Sequence, residues 1–391
     1  MTSTRAVRTE FLPFAPPAIG REEIEEVVDT LGSPWITTGP KAQRFEHEFA
    51  SFLGAPGALA LNSCTAALHT GLVALGVRAG EEVITTPITF AATANVIEHV
   101  GARPVFVDVE PDTLNLDPAK VEAAISPRTR AIIPVHFAGH PVPLDPILEI
   151  ATRYDLAVLE DAAHALPARY HGRPIGSGRN PVAFSFYATK NLTTGEGGML
   201  TGEEDLLARS RIIGLHGMTG DAWKRYAKGA TWRYDIVLPG FKYNMTDIQA
   251  SLGLRQLRKL ERFHARRRAV AARYTEAFSE EDTLEVPVER DDVEHAWHLY
   301  VLRLRPEGLT IGRDEFIEQL AERHIGTSVH FIPVHIHPYY RNKYGYAPQC
   351  LPVAYQNFLR MLSLPLHPRL TDADVTDVIE AVLDVARGHR R

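Results

Sequence analysis

Apolar and β-branched residues recur in short runs through the first half of the chain, each too short to be a typical helix. Stretches of helical length separate most of these runs, for example residues 65–75, 92–100 and 118–124. Strands that alternate with helices predict an α/β layer whose sheet is largely parallel and covered on both faces. The predicted strands are residues 58–62, 83–86, 105–108, 131–135, 156–160, 182–186 and 198–201.

The last two predicted strands are joined by a glycine-rich loop instead of a helix. A parallel return would need a longer crossover connection, which is usually helical. We therefore expect one antiparallel strand, residues 198–201, in an otherwise parallel sheet.

The pattern changes after about Met245. Residues 246–278 carry leucines at helical spacing and arginines behind them, which predicts one long helix with a solvated basic face. A strand at 297–304 and helices at 313–322 and 372–386 then predict a smaller α+β unit.

The length of 391 residues is too great for one core to be expected. We therefore predict two domains and an N-terminal arm. The arm is residues 1–20, the large domain 21–250 and the small C-terminal domain 251–391.

Composition narrows the function classes. The formal net charge is −6, so no basic field is available to hold nucleic acid or an anionic membrane. No apolar stretch reaches the length of a membrane span, and the first residues do not resemble a signal peptide. We expect a cytoplasmic protein. The two cysteines, Cys64 and Cys350, fit a reduced interior better than a disulfide scaffold.

Lys190 stands apart among the eight lysines of the chain. It follows a predicted core strand and precedes a glycine-rich loop, and ligands of open α/β sheets bind beyond the carboxyl ends of strands. A desolvated lysine there loses its proton more readily and becomes a nucleophile or a base. Since a lysine at a strand end is ordinarily a surface residue, the assignment depends on what else reaches this edge.

Three further signals reach the same edge. Asp161 follows a predicted strand and could pair with the pyridinium nitrogen of pyridoxal 5′-phosphate (PLP), or cap the next helix. Residues 62–66 could cradle a phosphate at a helix N-terminus, or simply cap that helix through Ser63. Phe90 could stack on a flat ring, or pack in the core. Together with Lys190, these residues predict a PLP site.

A set of short segments makes this prediction more specific. They are Trp35-Ile-Thr-Thr-Gly-Pro40, Asn62-Ser-Cys-Thr-Ala-Ala-Leu-His69, Phe106-Val-Asp-Val-Glu-Pro111, Glu160-Asp-Ala-Ala-His164, Phe184-Ser-Phe186, Lys190-Asn191, Gly195-Glu-Gly-Gly198 and Gly240-Phe-Lys-Tyr-Asn-Met-Thr-Asp247. With these segments the sequence resembles, from about Phe11 to its end, the DegT/StrS family of PLP-dependent nucleotide-sugar aminotransferases. The resemblance is strongest to enzymes that aminate C4 of nucleotide-linked 4-keto sugars.

The resemblance implies PLP-dependent fold type I, with a mostly parallel seven-stranded sheet in the large domain. It implies that Lys190 forms the Schiff base with PLP and that Asp161 pairs with the pyridine nitrogen. Asn244 matches a residue that reaches the cofactor phosphate of the neighbouring subunit, which implies a homodimer with shared active sites. The other implied cofactor contacts are Cys64, Thr65 and Ser185 at the phosphate, Phe90 stacked on the ring, and His164 where many members carry glutamine.

The implied reaction takes an amino group from L-glutamate, leaves pyridoxamine 5′-phosphate (PMP) as an intermediate, and aminates a nucleotide-linked 4-keto sugar, expected to be 4-keto-6-deoxy. A PLP- or PMP-dependent sugar dehydratase or epimerase and a C3-aminating enzyme are the alternatives. The family's dehydratase branch carries histidine in place of the lysine, so Lys190 favours transamination. A regulator without turnover would need a DNA or partner surface, and no helix-turn-helix is appended. Two departures, Cys64 for a small residue and Leu166-Pro167 for Gly-Ala, concern fine specificity.

The histidine-rich segment 330–340 has no acidic or cysteine partner at metal-ligand spacing, so we expect no metal site. We interpret it as a substrate-facing rim, with solvated surface as the alternative. His330 and His335 match positions near the sugar in the resembling enzymes. Arg233 and Lys242 are candidate contacts of the nucleotide diphosphate, and Thr37 is a further candidate substrate contact.

Overall fold

The computed structural model describes residues 8–219 and 234–391. The helices are α1 (Arg21–Gly32), α2 (Pro40–Leu53), α3 (Cys64–Ala74), α4 (Ala91–His99), α5 (Pro118–Val121), α6 (Leu144–Arg153), α7 (Glu204–Ile213), α8 (Asp247–Phe278), α9 (Arg313–Glu322), α10 (Pro338–Tyr344), α11 (Pro352–Arg360) and α12 (Asp372–Gly388). The strands are β1 (Ala58–Leu61), β2 (Glu82–Thr85), β3 (Arg103–Phe106), β4 (Thr129–Ile133), β5 (Ala157–Val158), β6 (Glu160–Asp161), β7 (Arg169–Tyr170), β8 (Arg173–Pro174), β9 (Val182–Ser185), β10 (Gly198–Thr201), β11 (Leu284–Glu285), β12 (Val293–Glu294), β13 (Tyr300–Leu304) and β14 (Met361–Leu364).

Two four-stranded sheets meet in the first half of the chain. One has the order β3-β2-β4-β5 with parallel neighbours throughout. The other has the order β1-β10-β9-β6, in which β9 is parallel to β6 and β10 is antiparallel to both of its neighbours. Only Leu159 separates β5 from β6, and its N–H donates to the carbonyl of Ile132 beside it. The prediction of one antiparallel strand at 198–201 is confirmed.

Side chains on β9 alternate between two apolar layers. Phe184 packs with Phe49 of α2 on one face, and Ala183 packs with Leu72 of α3 on the other. Both faces of this strand are therefore covered, as continuous apolar runs in parallel sheets require. The strand ends where the backbone turns toward Lys190.

The second half of the chain builds another core around the antiparallel sheet β11-β13-β14. Helices α8, α9 and α12 cover it, with Tyr274, Tyr300, Phe316 and Val382 fully buried. Helix α8 begins at a capping box in which Thr246 accepts from the Gln249 N–H and the Gln249 side chain accepts from the Thr246 N–H. This long helix contacts α1 and α2 as well as α12.

The predicted strands of the first half are present with boundaries shifted by up to two residues, except that the predicted strand at 156–160 is divided into β5 and β6, which lie in two different sheets. The predicted helices at 246–278, 313–322 and 372–386 correspond to α8, α9 and α12. Strands β7, β8, β11, β12 and β14 were not predicted. The first four have only two residues each, which carry too little pattern. None of the helices within the described ranges is long and apolar enough to cross a membrane.

Candidate active site

Lys190 lies in a turn beyond β9, where its backbone N–H donates to the carbonyl of Tyr187 at 2.9 Å. Lys190 is half-buried, and desolvation of its amine lowers the pKa of Lys190 to about 8, although Cys64 and Asp161 act in the opposite direction. Within the described residues the amine has no hydrogen-bond or salt-bridge partner. About a tenth of Lys190 is therefore uncharged at pH 7, far more than of an ordinary lysine, and can act as a nucleophile.

Asp161 ends β6 and is 4% exposed. The Thr93 hydroxyl donates to its Oδ2 at 2.7 Å, and the Ala163 N–H donates to its Oδ1 at 3.1 Å. Burial raises the pKa of Asp161, while these hydrogen bonds and the charge of Lys190 oppose the rise. Turns and not a helix follow Asp161, so it does not cap a helix. A cation placed beside this carboxylate would relieve its desolvation.

The N-terminus of α3 is the predicted phosphate cradle. Ser63 caps the helix by accepting from the Ala66 N–H at 3.0 Å, and Cys64 and Thr65 are its first two residues, whose N–H groups have no partner within the helix. A Cβ at Gly198 of β10 would lie 2.5 Å from the nitrogen of Cys64, so glycine is required for this close approach. Such a helix start binds phosphate through backbone N–H groups and the helix dipole.

Two rings flank the space between these elements. Phe90 stands before α4 with 65% of its surface exposed, so it is not a core residue and its face is free to stack on a ligand. His164 is buried and stacks on Phe331, with ring centroids 5.8 Å apart. Its Nδ1 is buried without a hydrogen-bond partner among the described residues. Burial, with a contribution from Lys190, lowers the pKa of His164 well below its ordinary value, so the ring is neutral.

His298 and His330 complete the surroundings of Lys190. His298 lies against His164, with centroids 4.4 Å apart, and His330 bonds to the Ser363 hydroxyl through Nδ1 at 2.9 Å. Burial lowers the pKa of both histidines, to about 4 for His330, and Lys190 contributes to each shift. The structure thus places uncharged imidazoles around a partly uncharged amine.

The remaining predicted residues are distributed around this centre. Ser185 ends β9, and Thr37 is exposed before α2. The Asn244 side chain donates to the Thr38 hydroxyl at 2.6 Å and accepts from the Lys242 amine at 2.5 Å. In this chain Asn244 pairs with Leu61 of β1, and Lys242 pairs with Leu215 beyond α7.

The structure does not bring His335 to the group around Lys190. Its side chain is 0% exposed and contacts Tyr346 edge-on, and its Nε2 lies 3.4 Å from the Pro348 carbonyl. The role of His335 as a substrate contact stays a prediction. Arg233 lies outside the described residues.

Sequence reasoning did not identify Thr93, His298 or Phe331. Each is far along the chain from Lys190 and lies in a segment whose local pattern is that of a helix, a strand or a proline-containing loop. No group of three or more histidine, cysteine, aspartate or glutamate side chains that could hold a metal occurs in the parts of the chain that the structure describes.

The residues present fit PLP. The free N–H groups of α3 suit its phosphate, the buried carboxylate of Asp161 its ring nitrogen, Phe90 and His164 its two faces, and the Lys190 amine its aldehyde. An α/β sheet that presents this set at one edge defines a PLP-dependent enzyme.

Comparison with known proteins gives the family. The model of the DegT/DnrJ/EryC1/StrS aminotransferase family matches residues 17–383, so the chain belongs to this family. The spore coat polysaccharide biosynthesis protein SpsC of Bacillus subtilis (strain 168) is 52% identical over 383 residues, which cover 97% of this chain and 98% of SpsC.

Solved structures agree with this assignment. "Putative sugar aminotransferase Spr1654" from Streptococcus pneumoniae, in its PLP form, has a TM-score of 0.90 and 37% identity over 97% of this chain and 99% of its own. The same protein has also been solved in a PMP form. Helicobacter pylori PseC, an aminotransferase involved in the biosynthesis of pseudoaminic acid, has a TM-score of 0.89 and 29% identity over 97% of this chain and all of its own. The protein is an aminotransferase whose cofactor is PLP.

Proposed function

We propose that this protein transfers the amino group of L-glutamate to the C4 keto carbon of a nucleotide-linked sugar, expected to be 4-keto-6-deoxy. The observation that carries the proposal is the partly uncharged Lys190 amine beside the buried carboxylate of Asp161. The relatives support the sugar as acceptor, because their names assign them to sugar aminotransfer or polysaccharide biosynthesis. We infer that β5 and β6, which only Leu159 separates, act as one interrupted strand and join the two four-stranded sheets into the single seven-stranded sheet of fold type I.

In the proposed mechanism, Lys190 would hold PLP through its amine and, when free of it, would carry a proton. When bound, PLP supplies an electrophilic aldehyde carbon and a ring that stabilises negative charge beside the migrating amino group. A pKa of about 8 allows Lys190 both to accept and to release a proton near neutral pH. The Asp161 carboxylate keeps the ring nitrogen protonated, and Thr93 holds that carboxylate in place.

The flanking groups orient the cofactor and limit access of water. Phe90 and His164 would confine the ring between them, and the neutral state of His164 avoids repulsion with Lys190 when the lysine is charged. His330 lies on the side of the small C-terminal unit, at Ser363 of β14, where we expect the sugar to enter. We propose that Lys242 and Arg233 contact the nucleotide diphosphate, since charge-assisted hydrogen bonds suit that anion.

We also propose a homodimer in which Asn244 reaches the cofactor phosphate of the other subunit. The position of Asn244 supports this, because it pairs with Leu61 of β1 and its side chain bonds to Thr38 and Lys242 in its own chain. Its bonds to Thr38 and Lys242 hold its amide in a defined orientation. A two-fold dimer is the commonest soluble assembly.

A half-reaction experiment tests the function. Purified protein loaded with PLP is mixed with L-glutamate, and the visible absorption band of the lysine-bound cofactor is followed. We expect glutamate to bleach the band and a nucleotide-linked 4-keto-6-deoxy sugar to restore it, with a 4-amino sugar as the product identified by mass and NMR.

The other outcomes discriminate between the alternatives. A band that glutamate does not change would contradict an aminotransferase that uses this donor. An amine at C3 would replace the C4 assignment, and a deoxygenated sugar without nitrogen would indicate a dehydratase. A panel of dTDP-, UDP- and GDP-linked sugars then identifies the nucleotide.

A further inference from the structure

The turn at residues 295–298, just before β13, is held at every step by hydrogen bonds. The Ala296 N–H donates to the Gly139 carbonyl at 2.8 Å, and the Trp297 N–H donates to Nδ1 of His295 at 2.8 Å. The buried guanidinium of Arg267 on α8 donates to the carbonyls of Trp297 and His298. This turn is therefore a rigid support that reaches from the second half of the chain toward Lys190.

Asn191, the residue bonded to Lys190, is fixed by this support. Its Nδ2 donates to the carbonyls of Leu166 and Ala296, both at 2.8 Å, and these two acceptors determine which end of the amide is nitrogen. Its Oδ1 then faces Nδ1 of His298 at 3.2 Å. Because an amide oxygen can only accept, Nδ1 of His298 must carry the hydrogen.

The His298 ring has a second contact within the site. It lies against His164, with centroids 4.4 Å apart and planes inclined by 40°, and His164 flanks the cofactor position. His298 is 6% exposed, and burial keeps its pKa well below the ordinary value, with Lys190 the second cause. The ring thus stays neutral and keeps the tautomer that the bond to Asn191 requires.

We infer that His298 is a positioning residue for the aminotransferase reaction. Through its Nδ1–H it holds Asn191, and with it the backbone from which Lys190 projects, while its ring supports His164 from behind. His298 acts through these two neighbours. The inference rests on the proposed attachment of PLP to Lys190, because a lysine held at the wrong angle reaches the aldehyde slowly even when the cofactor is bound.

The test measures the covalent attachment of PLP to Lys190 separately from the noncovalent binding of the cofactor. Cofactor-free protein is mixed with PLP, samples are reduced with borohydride at intervals, and the adduct on Lys190 is quantified by peptide mass spectrometry. In parallel, the affinity for PMP, which needs no bond to the lysine, is measured by titration, and the melting temperature of the cofactor-free protein is recorded.

Three substitutions of His298 test whether a hydrogen-bond donor at the position of Nδ1 is needed for attachment. His298→Leu removes the donor, and we expect attachment to slow by roughly 10- to 100-fold while PMP affinity changes much less. His298→Asn keeps an N–H near the position of Nδ1 and should recover most of the attachment rate. His298→Gln places its amide near the position of Nε2 and should not.

His69→Asn is the matched control. His69 is 5% exposed and also bonds through Nδ1, to the Tyr243 hydroxyl at 3.1 Å, but it has no electrostatic contact with Lys190. We expect this variant to attach PLP at the wild-type rate even if its melting temperature falls.

The inference is overturned if His298→Leu attaches PLP as fast as the wild type. It is also overturned if the asparagine and glutamine variants behave alike, or if attachment and PMP affinity fall by the same factor. If His298→Leu does not fold, the asparagine and glutamine variants can still be compared with each other, and the attachment rate of each can still be compared with its PMP affinity. A wild-type protein that forms no adduct on Lys190 would contradict the proposed function and remove the basis of this inference together with it.

Discussion

Two clusters of charged side chains that are shielded from water differ in their role. One forms the candidate active site, and the other stabilises the packing of helices. The site cluster consists of Lys190, Asp161 and the imidazoles around them. The helix cluster joins α1 and α2 to α8 and consists of Glu23, Glu26, Lys41, Arg255 and Lys259. Each cluster contains lysine and carboxylate side chains that are largely shielded from water.

In the helix cluster every charge has a partner at short range. The Lys259 amine lies 2.8 Å from a Glu23 oxygen, and the Lys41 amine lies 2.7 Å from a Glu26 oxygen. Burial alone would raise the pKa of both carboxyl groups, but the hydrogen bonds from the cations outweigh it and leave those pKa values lowered. The lysine pKa values are raised for the same reason.

In the site cluster the charged groups are also shielded from water, but they have fewer charged partners at short range. Burial lowers the pKa of Lys190 to about 8 and raises the pKa of Asp161, and the two groups compensate each other only in part. The comparison shows that a buried ionisable side chain without a close charged partner has a shifted pKa and is reactive. A buried side chain with such partners stays charged and holds the helices together.

The largest expected effect separates the two lysines. Lys190→Ala should reduce turnover by about 10²- to 10⁴-fold, because nucleophile and proton carrier are lost together. Lys259→Ala should leave kcat unchanged and lower the free energy of unfolding by about 1 to 3 kcal/mol, because Glu23 loses a charged donor. Steady-state kinetics and denaturant titration of both variants check this, and ordinary multiple-turnover activity of Lys190→Ala would contradict the proposed role.

The next largest effect should separate the carboxylates of Asp161 and Glu23, in both kcat and melting temperature. We expect Asp161→Asn to lower kcat by roughly 100- to 1000-fold, since a neutral amide does not stabilise a protonated ring nitrogen. The cofactor-free variant should melt no lower than the wild type, because a buried carboxylate with a raised pKa opposes folding once it is ionised. Glu23→Gln should show the reverse, with normal kcat and a lower melting temperature. Equal kinetic losses in both variants would show that the two clusters do not differ as argued.

The pH dependence of attachment should sharpen the same contrast. With a folded pKa of about 8, the uncharged fraction of Lys190 rises about tenfold per pH unit below that value and levels off above it. We therefore expect the rate of PLP attachment to cofactor-free protein to rise from pH 6 to about 8 and then to flatten. A rise that continues toward the ordinary lysine pKa of 10.5 would mean that the amine is not desolvated. Cys64 and Asp161 are the charged neighbours that act on the pKa of Lys190. Lys190 in turn lowers the pKa values of His164, His298 and His330, which also face it.

The same depressed pKa affects stability. An unfolded chain binds a proton at lysine below pH 10.5, whereas folded Lys190 does so only below about 8. Lys190 therefore costs the cofactor-free protein stability as the pH falls through that window.

The smallest expected effect concerns Thr93. Thr93→Val removes the donor to Asp161 and should lower kcat about fivefold, which corresponds to about 1 kcal/mol for one hydrogen bond. Thr93→Ser keeps the hydroxyl and should restore the rate. A valine variant with wild-type kinetics would show that the buried carboxylate needs no such support.

Much of the fold and of the candidate site could be predicted because it depends on residues that are neighbours in the sequence. Apolar runs that end in a polar residue and are followed by a glycine-rich loop, a turn or a helix predicted that Lys190, Asp161 and Cys64 lie at the edge where parallel strands end. The exposure of Phe90 and the burial of His335 could not be predicted, because each depends on which elements pack over it.

The sequence by itself determined the order of strands and helices, the family, the cofactor and the candidate lysine, since each follows from neighbouring residues. Only the tertiary structure decided that Thr93 supports Asp161 and that His298 holds Asn191, pairs that are 68 and 107 residues apart. It also decided the charge of Lys190. A pKa depends on how much water and how many partners surround a group, and these are properties of packing between distant segments.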